Sequence, residues 1–108
     1  TQANRVFITG GASGLGRALA LRYARDGWRV CIADLNDERG ESTRAELAAA
    51  GAAEALYRHA DVTCEADLQA IADELASIWG GLDVLVNNAG VAQAGAIEDV
   101  TLADWEWS

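Results

Sequence analysis

The sequence predicts an α/β domain built on a parallel sheet. Short apolar runs alternate along the chain with longer stretches of helical periodicity, the pattern of successive βαβ units. The first apolar run passes directly into a glycine-rich turn that opens a helix, the order in which a phosphate-binding βα unit is built. A length of 108 residues bounds the chain to one domain, and a hydrophobic share of 51% is enough for a packed core.

The elements follow in order. Arg5–Thr9, with Val6-Phe7-Ile8 at its centre, reads as the first strand. Gly10-Gly11-Ala12-Ser13-Gly14-Leu15-Gly16 turns the chain, and a helix over Leu15–Asp26 ends at Gly27. A second strand covers Arg29–Ala33, a helix Asp37–Ala50 stops at Gly51, and a third strand covers Ala55–His59. The third helix, Glu65–Trp79, has the clearest period. Leu68, Ile71, Ala72, Leu75 and Ile78 form its stripe, Asp67, Asp73 and Glu74 fall outside it, Thr63 is placed to cap it, and Gly80-Gly81 closes it. Leu82–Asn87 reads as a fourth strand, and Thr101-Leu102-Ala103-Asp104 has capping-box spacing for a fourth helix from Leu102. Right-handed crossovers with the usual doubly wound order give strands 3-2-1-4, so the first and fourth flank the switch point. In that order the fourth strand is left as an exposed apolar edge.

Charge narrows the function. A net charge of −9 argues against binding a nucleic-acid backbone, and all eight basic residues are arginine, with no lysine in the chain. No apolar run approaches the roughly 20 residues that span a bilayer, and no secretory leader is visible. Cys31 and Cys64 fit no metal-ligand spacing and read as buried free thiols of a reducing, cytoplasmic setting. His59 stands alone, without a metal-ligand partner in sequence. The acidic positions from Asp37 to Glu46 read as a solvated helix face, Trp28 and Trp79 as core-edge residues, and Trp105 and Trp107 as packing residues.

Four strand ends carry residues suited to a dinucleotide. The N–H groups at the helix start have no intrahelical partner and sit at the positive end of the helix dipole, so the glycine turn suits a pyrophosphate; a ligand-free tight turn is the plainer alternative. Asp34, eighteen residues after Gly16, can accept from a ribose diol and would repel a 2′-phosphate, or can cap the following turn with Asn36 or Asp37. Asp61-Val62 suits an adenine amino group and ring, or a loop cap. Asn87-Asn88-Ala89-Gly90 suits a strand end that backbone and ligand approach closely, or a simple turn.

Taken together, Thr9-Gly10-x-x-x-Gly14-x-Gly16, Asp34, Asp61-Val62 and Asn87-Asn88-Ala89-Gly90 resemble the short-chain dehydrogenase/reductase family over essentially the whole chain. The resemblance implies a Rossmann-type domain that uses a nicotinamide cofactor for alcohol–carbonyl redox chemistry on a small molecule, in homo-oligomers. It implies cofactor contacts at Gly10, Ser13, Gly14, Leu15 and Gly16 in the turn, and at Asp34 and Leu35 after the second strand. Further contacts would come from Asp61 and Val62 after the third, and from Asn88, Ala89 and Gly90 after the fourth. NADP-preferring members often carry a basic residue where this chain has Ser13, so NAD is expected; Arg17 keeps NADP as the lesser alternative. The family's Tyr-x-x-x-Lys pair has no counterpart in these residues. The tyrosines are Tyr23 and Tyr57, and the residues four further on are Gly27 and Asp61. The expectation is therefore the N-terminal, cofactor-binding portion of a longer enzyme, with the substrate pocket supplied beyond the fourth strand. A catalytically silent dinucleotide-binding fragment is the alternative. A Rossmann-like methyltransferase shares the glycine turn and acidic residue, but not the amide pair.

Overall fold

The computed structural model describes residues 4–12, 14–61 and 63–88, together with the backbone of 98–101. Its strands are β1 (Arg5–Thr9), β2 (Arg29–Asp34), β3 (Glu54–His59), β4 (Val84–Asn87) and β5 (Glu98–Thr101). Its helices are α1 (Gly14–Arg25), α2 (Asp37–Ala50) and α3 (Glu65–Trp79). The sheet order is β3-β2-β1-β4-β5, in which the first four strands run parallel as 3-2-1-4. This is the doubly wound, Rossmann-type arrangement that the alternating pattern predicts. Element limits differ from the sequence reading by one or two residues, and Leu82 is buried just before β4 rather than within it.

Helices cover both faces, which is why β1 and β2 are continuous apolar runs. Val6, Ile8, Val30, Ile32 and Val86 point to one face and pack with Ala20 and Ala24 of α1, Leu47 of α2 and Tyr57. Phe7, Cys31 and Leu85 point to the other and pack with Leu68, Ile71, Leu75 and Trp79 of α3. Burial pushes the Cys31 thiol up to about 12, against a smaller opposing influence of Arg58, so it remains protonated packing. Cys64 is half-buried, not buried as expected, and both thiols are free. Trp28 and Tyr23 pack ring on ring with centroids 4.6 Å apart at the edge of the first face.

Two expectations are corrected. The fourth strand is not a bare edge: β5 pairs with it antiparallel, Val84 opposite Thr101 and Asn87 opposite Glu98, and so satisfies its outer backbone groups. Nor does Thr63 cap α3. Cys64 is the N-cap residue and its side chain makes no capping bond; Thr63 falls one residue before the cap, where its N–H and hydroxyl both donate to Asp61 Oδ1, at 2.9 and 2.6 Å. The helix from Leu102, Trp105 and Trp107 lie outside the described residues.

Arg5 ties three segments at the amino end of the sheet. Its Nε and Nη2 donate to the Asp83 carboxylate at 3.1 and 3.2 Å, and its Nη1 donates to the Trp79 carbonyl at 3.0 Å. A cation thus closes the C-terminus of α3, the favourable end for positive charge. The Arg5 hydrogen bond holds the Asp83 carboxyl below its ordinary range despite partial burial. A carboxylate with a depressed folded pKa stabilises the fold above its unfolded pKa, and that contribution is lost as pH falls through the folded value. Thermal stability is therefore expected to drop between roughly pH 5 and pH 3. Arg5→Met is expected to cost about 1–2 kcal/mol at pH 7 and to flatten part of that decline in pH-dependent melting. An unchanged acid slope in the variant would contradict this role for the pair.

Candidate functional site

The site is built where the carboxyl ends of β1, β2 and β4 meet, at the switch point of the sheet. The glycine turn leaves β1 and is anchored on β2, with the Gly10 and Gly11 N–H groups donating to the Ala33 carbonyl at 2.8 and 3.3 Å. Gly16, buried in the first turn of α1, packs against the turn's own backbone. A Cβ there would lie 2.1 Å from the Gly10 carbonyl oxygen and 2.7 Å from Asn88 Nδ2. No residue but glycine allows that approach. Gly14 differs, because it has φ +58° and a Cβ on it would meet nothing within 4 Å. It borders open space at the start of α1, where the first helical N–H groups lack intrahelical acceptors. Leu15, next in the chain, is 48% exposed, and a helix start with free N–H groups is the kind of place that suits an anion.

Asp34 closes β2 and is wired into the turn. Its Oδ2 accepts from the Ala12 N–H at 3.2 Å and its Oδ1 accepts from the Asn36 N–H at 3.3 Å. Asp34 thus caps the following turn through the Asn36 N–H, as its plainer reading has it, and Asn36 caps α2, its Oδ1 accepting from the Arg39 N–H at 2.9 Å. Each Asp34 oxygen therefore carries one backbone donor and keeps acceptor capacity for another. Leu35, next in the chain, is 56% exposed, an apolar surface beside a polar one.

At the end of β4, the paired amides brace the turn. Thr9 Oγ1 lies 3.1 Å from Asn87 Oδ1 and accepts from the Asn88 N–H at 3.1 Å, while Asn88 Nδ2 donates to the Gly10 carbonyl at 3.1 Å. Asn88 thus holds the glycine turn in place from the neighbouring strand. Asp61 follows β3 and is exposed; its bonds from Thr63 hold its carboxyl low, the hydroxyl contributing more than the backbone. Ser13, Val62, Ala89 and Gly90 lie outside the described residues.

Several participants carry no sequence signal of their own. Arg17 is held by Glu46 of α2, its Nε donating at 2.9 Å to Oε1 and its Nη2 pairing with Oε2. The acidic face of α2 is exposed to solvent as expected, with Glu46 paired across to α1. Asp37 also has partners. Tyr57 Oη lies 2.6 Å from Asp37 Oδ1 and 2.9 Å from the Asp34 carbonyl, and His59 Nδ1 lies 2.8 Å from the same Asp37 oxygen. Burial first, and then the Asp37 bond, push the Tyr57 phenol well above its usual range. The Tyr57 bond, followed by the His59 bond, holds Asp37 below the usual carboxylate range. Among the described residues, no three His, Cys, Asp or Glu side chains gather as metal ligands would, and no helix is long and apolar enough to cross a membrane.

Comparison with known proteins gives consistent matches. The sequence profile of the short chain dehydrogenase family matches residues 4–108. A 3-alpha-(or 20-beta)-hydroxysteroid dehydrogenase of Mycobacterium tuberculosis is 41% identical over 100 residues, covering 93% of this chain and 37% of that protein. A sorbitol dehydrogenase of Cereibacter sphaeroides is 42% identical over 100 residues, covering 93% of this chain and 38% of that protein. The chain therefore spans little more than a third of these relatives. Among solved structures, an NADH-dependent reductase complexed with NAD superimposes with a TM-score of 0.68 at 29% identity, over 78% of this chain and 35% of that one. An alcohol dehydrogenase from the archaeon Thermococcus sibiricus, complexed with 5-hydroxy-NADP, gives 0.71 at 28% identity over 78% and 36%.

Proposed function

The chain belongs to the short-chain dehydrogenase family, and we propose that it forms the NAD-binding part of an oxidoreductase moving a hydride between NAD(H) and an alcohol or carbonyl substrate. The observation that carries this reading is the junction of the glycine turn, Asp34 and Asn88 at the carboxyl ends of β1, β2 and β4. In this reading the start of α1, at Gly14, Leu15 and Gly16, holds the pyrophosphate, and the spare lone pairs of Asp34 accept from the adenosine ribose. Leu35, Asp61 and Val62 flank the adenine; Ser13, Ala89 and Gly90 complete the contacts. A bound nicotinamide dinucleotide supplies the hydride donor or acceptor. The residues described here bind and orient it.

Asp34 supports NAD over NADP, since a 2′-phosphate would bring like charge against the carboxylate, at a cost of about 1–4 kcal/mol for charges ~4 Å apart. The pairing of Arg17 with Glu46 supports the same preference, because it takes up the cation that would otherwise favour a phosphate. The 108 residues contain no lysine, so the proposal gives this chain the cofactor-binding portion of one domain and no proton-transfer residue. A cytoplasmic, homo-oligomeric enzyme belongs to the same reading. The second reading, a silent dinucleotide-binding fragment, is favoured by the lack of any lysine to complete a Tyr-x-x-x-Lys pair in these residues. Fluorescence titration of the folded chain with NADH, NADPH and S-adenosylmethionine tests the assignment. Saturable binding of NADH, weaker binding of NADPH and none of S-adenosylmethionine is expected; a folded chain that ignores both dinucleotides would overturn it.

A further inference from the structure

We propose that Thr43 of α2 is a positioning residue for the dinucleotide site, setting cofactor affinity and selectivity from outside the ligand opening. The inference rests on the NAD-binding reading above. Thr43 is 2% exposed in the middle of a helix, where a β-branched hydroxyl residue is neither a favoured helix former nor cheap to bury. Its hydroxyl donates across the helix–turn interface to the Ala12 carbonyl, at 3.4 Å and 31 residues away in sequence, rather than back to its own helix.

The Ala12 residue is thereby held at both polar groups. Its N–H donates to Asp34 Oδ2 and its carbonyl accepts from Thr43. One turn further along α2, Glu46 holds Arg17 at the start of α1, so Thr43 and Glu46, three residues apart on one helical face, grip the turn and the helix it opens. Asp34 is the carboxylate assigned to the ribose, and its Oδ2 is oriented by the N–H of that same Ala12. Loss of the Thr43 bond frees the Ala12 carbonyl and, through the φ and ψ of Ala12, loosens the preceding peptide whose N–H holds Oδ2, letting the Asp34 carboxylate turn away from the ribose. The effect on binding therefore passes through Asp34 and is specific to a cofactor with a free 2′-hydroxyl.

The test compares Thr43→Val, which keeps shape and removes the donor, with Thr43→Ser, which keeps the donor, by titrating each folded protein with NADH and NADPH. Thr43→Val is expected to weaken NADH by about three- to tenfold, near the worth of one hydrogen bond, with a smaller change for NADPH. Thr43→Ser should restore most of the NADH affinity, and Asp34→Asn combined with Thr43→Val should weaken NADH by less than the product of the single effects. Ile71→Val, in the core on the opposite face, controls for general loss of stability and should leave both affinities unchanged. Equal weakening of NADH and NADPH in Thr43→Val, or a lower melting temperature with unchanged NADH affinity, would overturn the role of Thr43. Failure of the unaltered protein to bind NADH would instead overturn the underlying NAD reading.

Discussion

Replacing Gly16 by alanine is expected to weaken NADH binding by more than about 100-fold and to destabilise the fold by about 2–3 kcal/mol. The reason is a backbone collision. The added Cβ would lie 2.1 Å from the Gly10 carbonyl oxygen, and neither the turn nor α1 can swing a flexible side chain aside to relieve it. Relief requires α1 to move off the turn, which separates the helix N-terminus from the strand ends that complete the site. The same shift breaks the approach of Asn88 Nδ2, which donates to that Gly10 oxygen. The measurement is paired, a melting curve and an NADH titration on one preparation. A variant that binds NADH normally would show that the close approach of turn and helix is not what builds the site.

Asp34→Asn is expected to lower NADH affinity by about tenfold and to shrink the preference for NADH over NADPH by at least about tenfold. Asparagine keeps one acceptor oxygen but presents an amide N–H₂ where the second oxygen stood. One of the two backbone donors now served by Asp34, the Ala12 or the Asn36 N–H, then loses its acceptor. The ribose also loses a charged acceptor, which accounts for the fall with NADH. Removal of the carboxylate charge relieves the repulsion of a 2′-phosphate, so NADPH gains while NADH loses. Unchanged NADH and NADPH dissociation constants would leave Asp34 as a structural brace of the turn, without a part in recognition.

The strands and their order were legible because both sheet faces are covered. A strand buried on two sides reads as an unbroken apolar run, as Val6-Phe7-Ile8 and Val30-Cys31-Ile32 do, and glycines mark the turns between elements. β5 was not legible. Glu98-Asp99-Val100-Thr101 has neither alternation nor an apolar run, and its pairing comes from the open side of β4 rather than from its own propensity. Thr63 had the right residue type for a cap, yet α3 starts one residue later and Thr63 turns back to Asp61 instead.

The candidate site divides in the same way. Gly10, Asp34 and Asn88 stand at strand ends in the sequence, and the structure brings the glycine turn and Gly16 of α1 against them. Their supports come from afar. Glu46 reaches Arg17 across 29 residues and Tyr57 reaches Asp37 across 20, so the solvated acidic stretch also contains one partner of α1 and one of β3. No local pattern encodes such pairings, because they depend on which helix lies beside which once the crossovers are made. Thr43 left one trace, a hydroxyl residue at a buried helical position. Burial itself was the missing information.

Amide chemical-shift mapping of the folded, isotope-labelled chain during NADH titration reads most directly where the cofactor sits. Saturable shifts are predicted for the backbone amides of Gly10, Gly14, Leu15, Gly16, Leu35 and Asn88, with the α3 amides from Leu68 to Trp79 unmoved. Shifts centred on α3, or no shifts at saturating NADH, would contradict a dinucleotide site at the glycine turn.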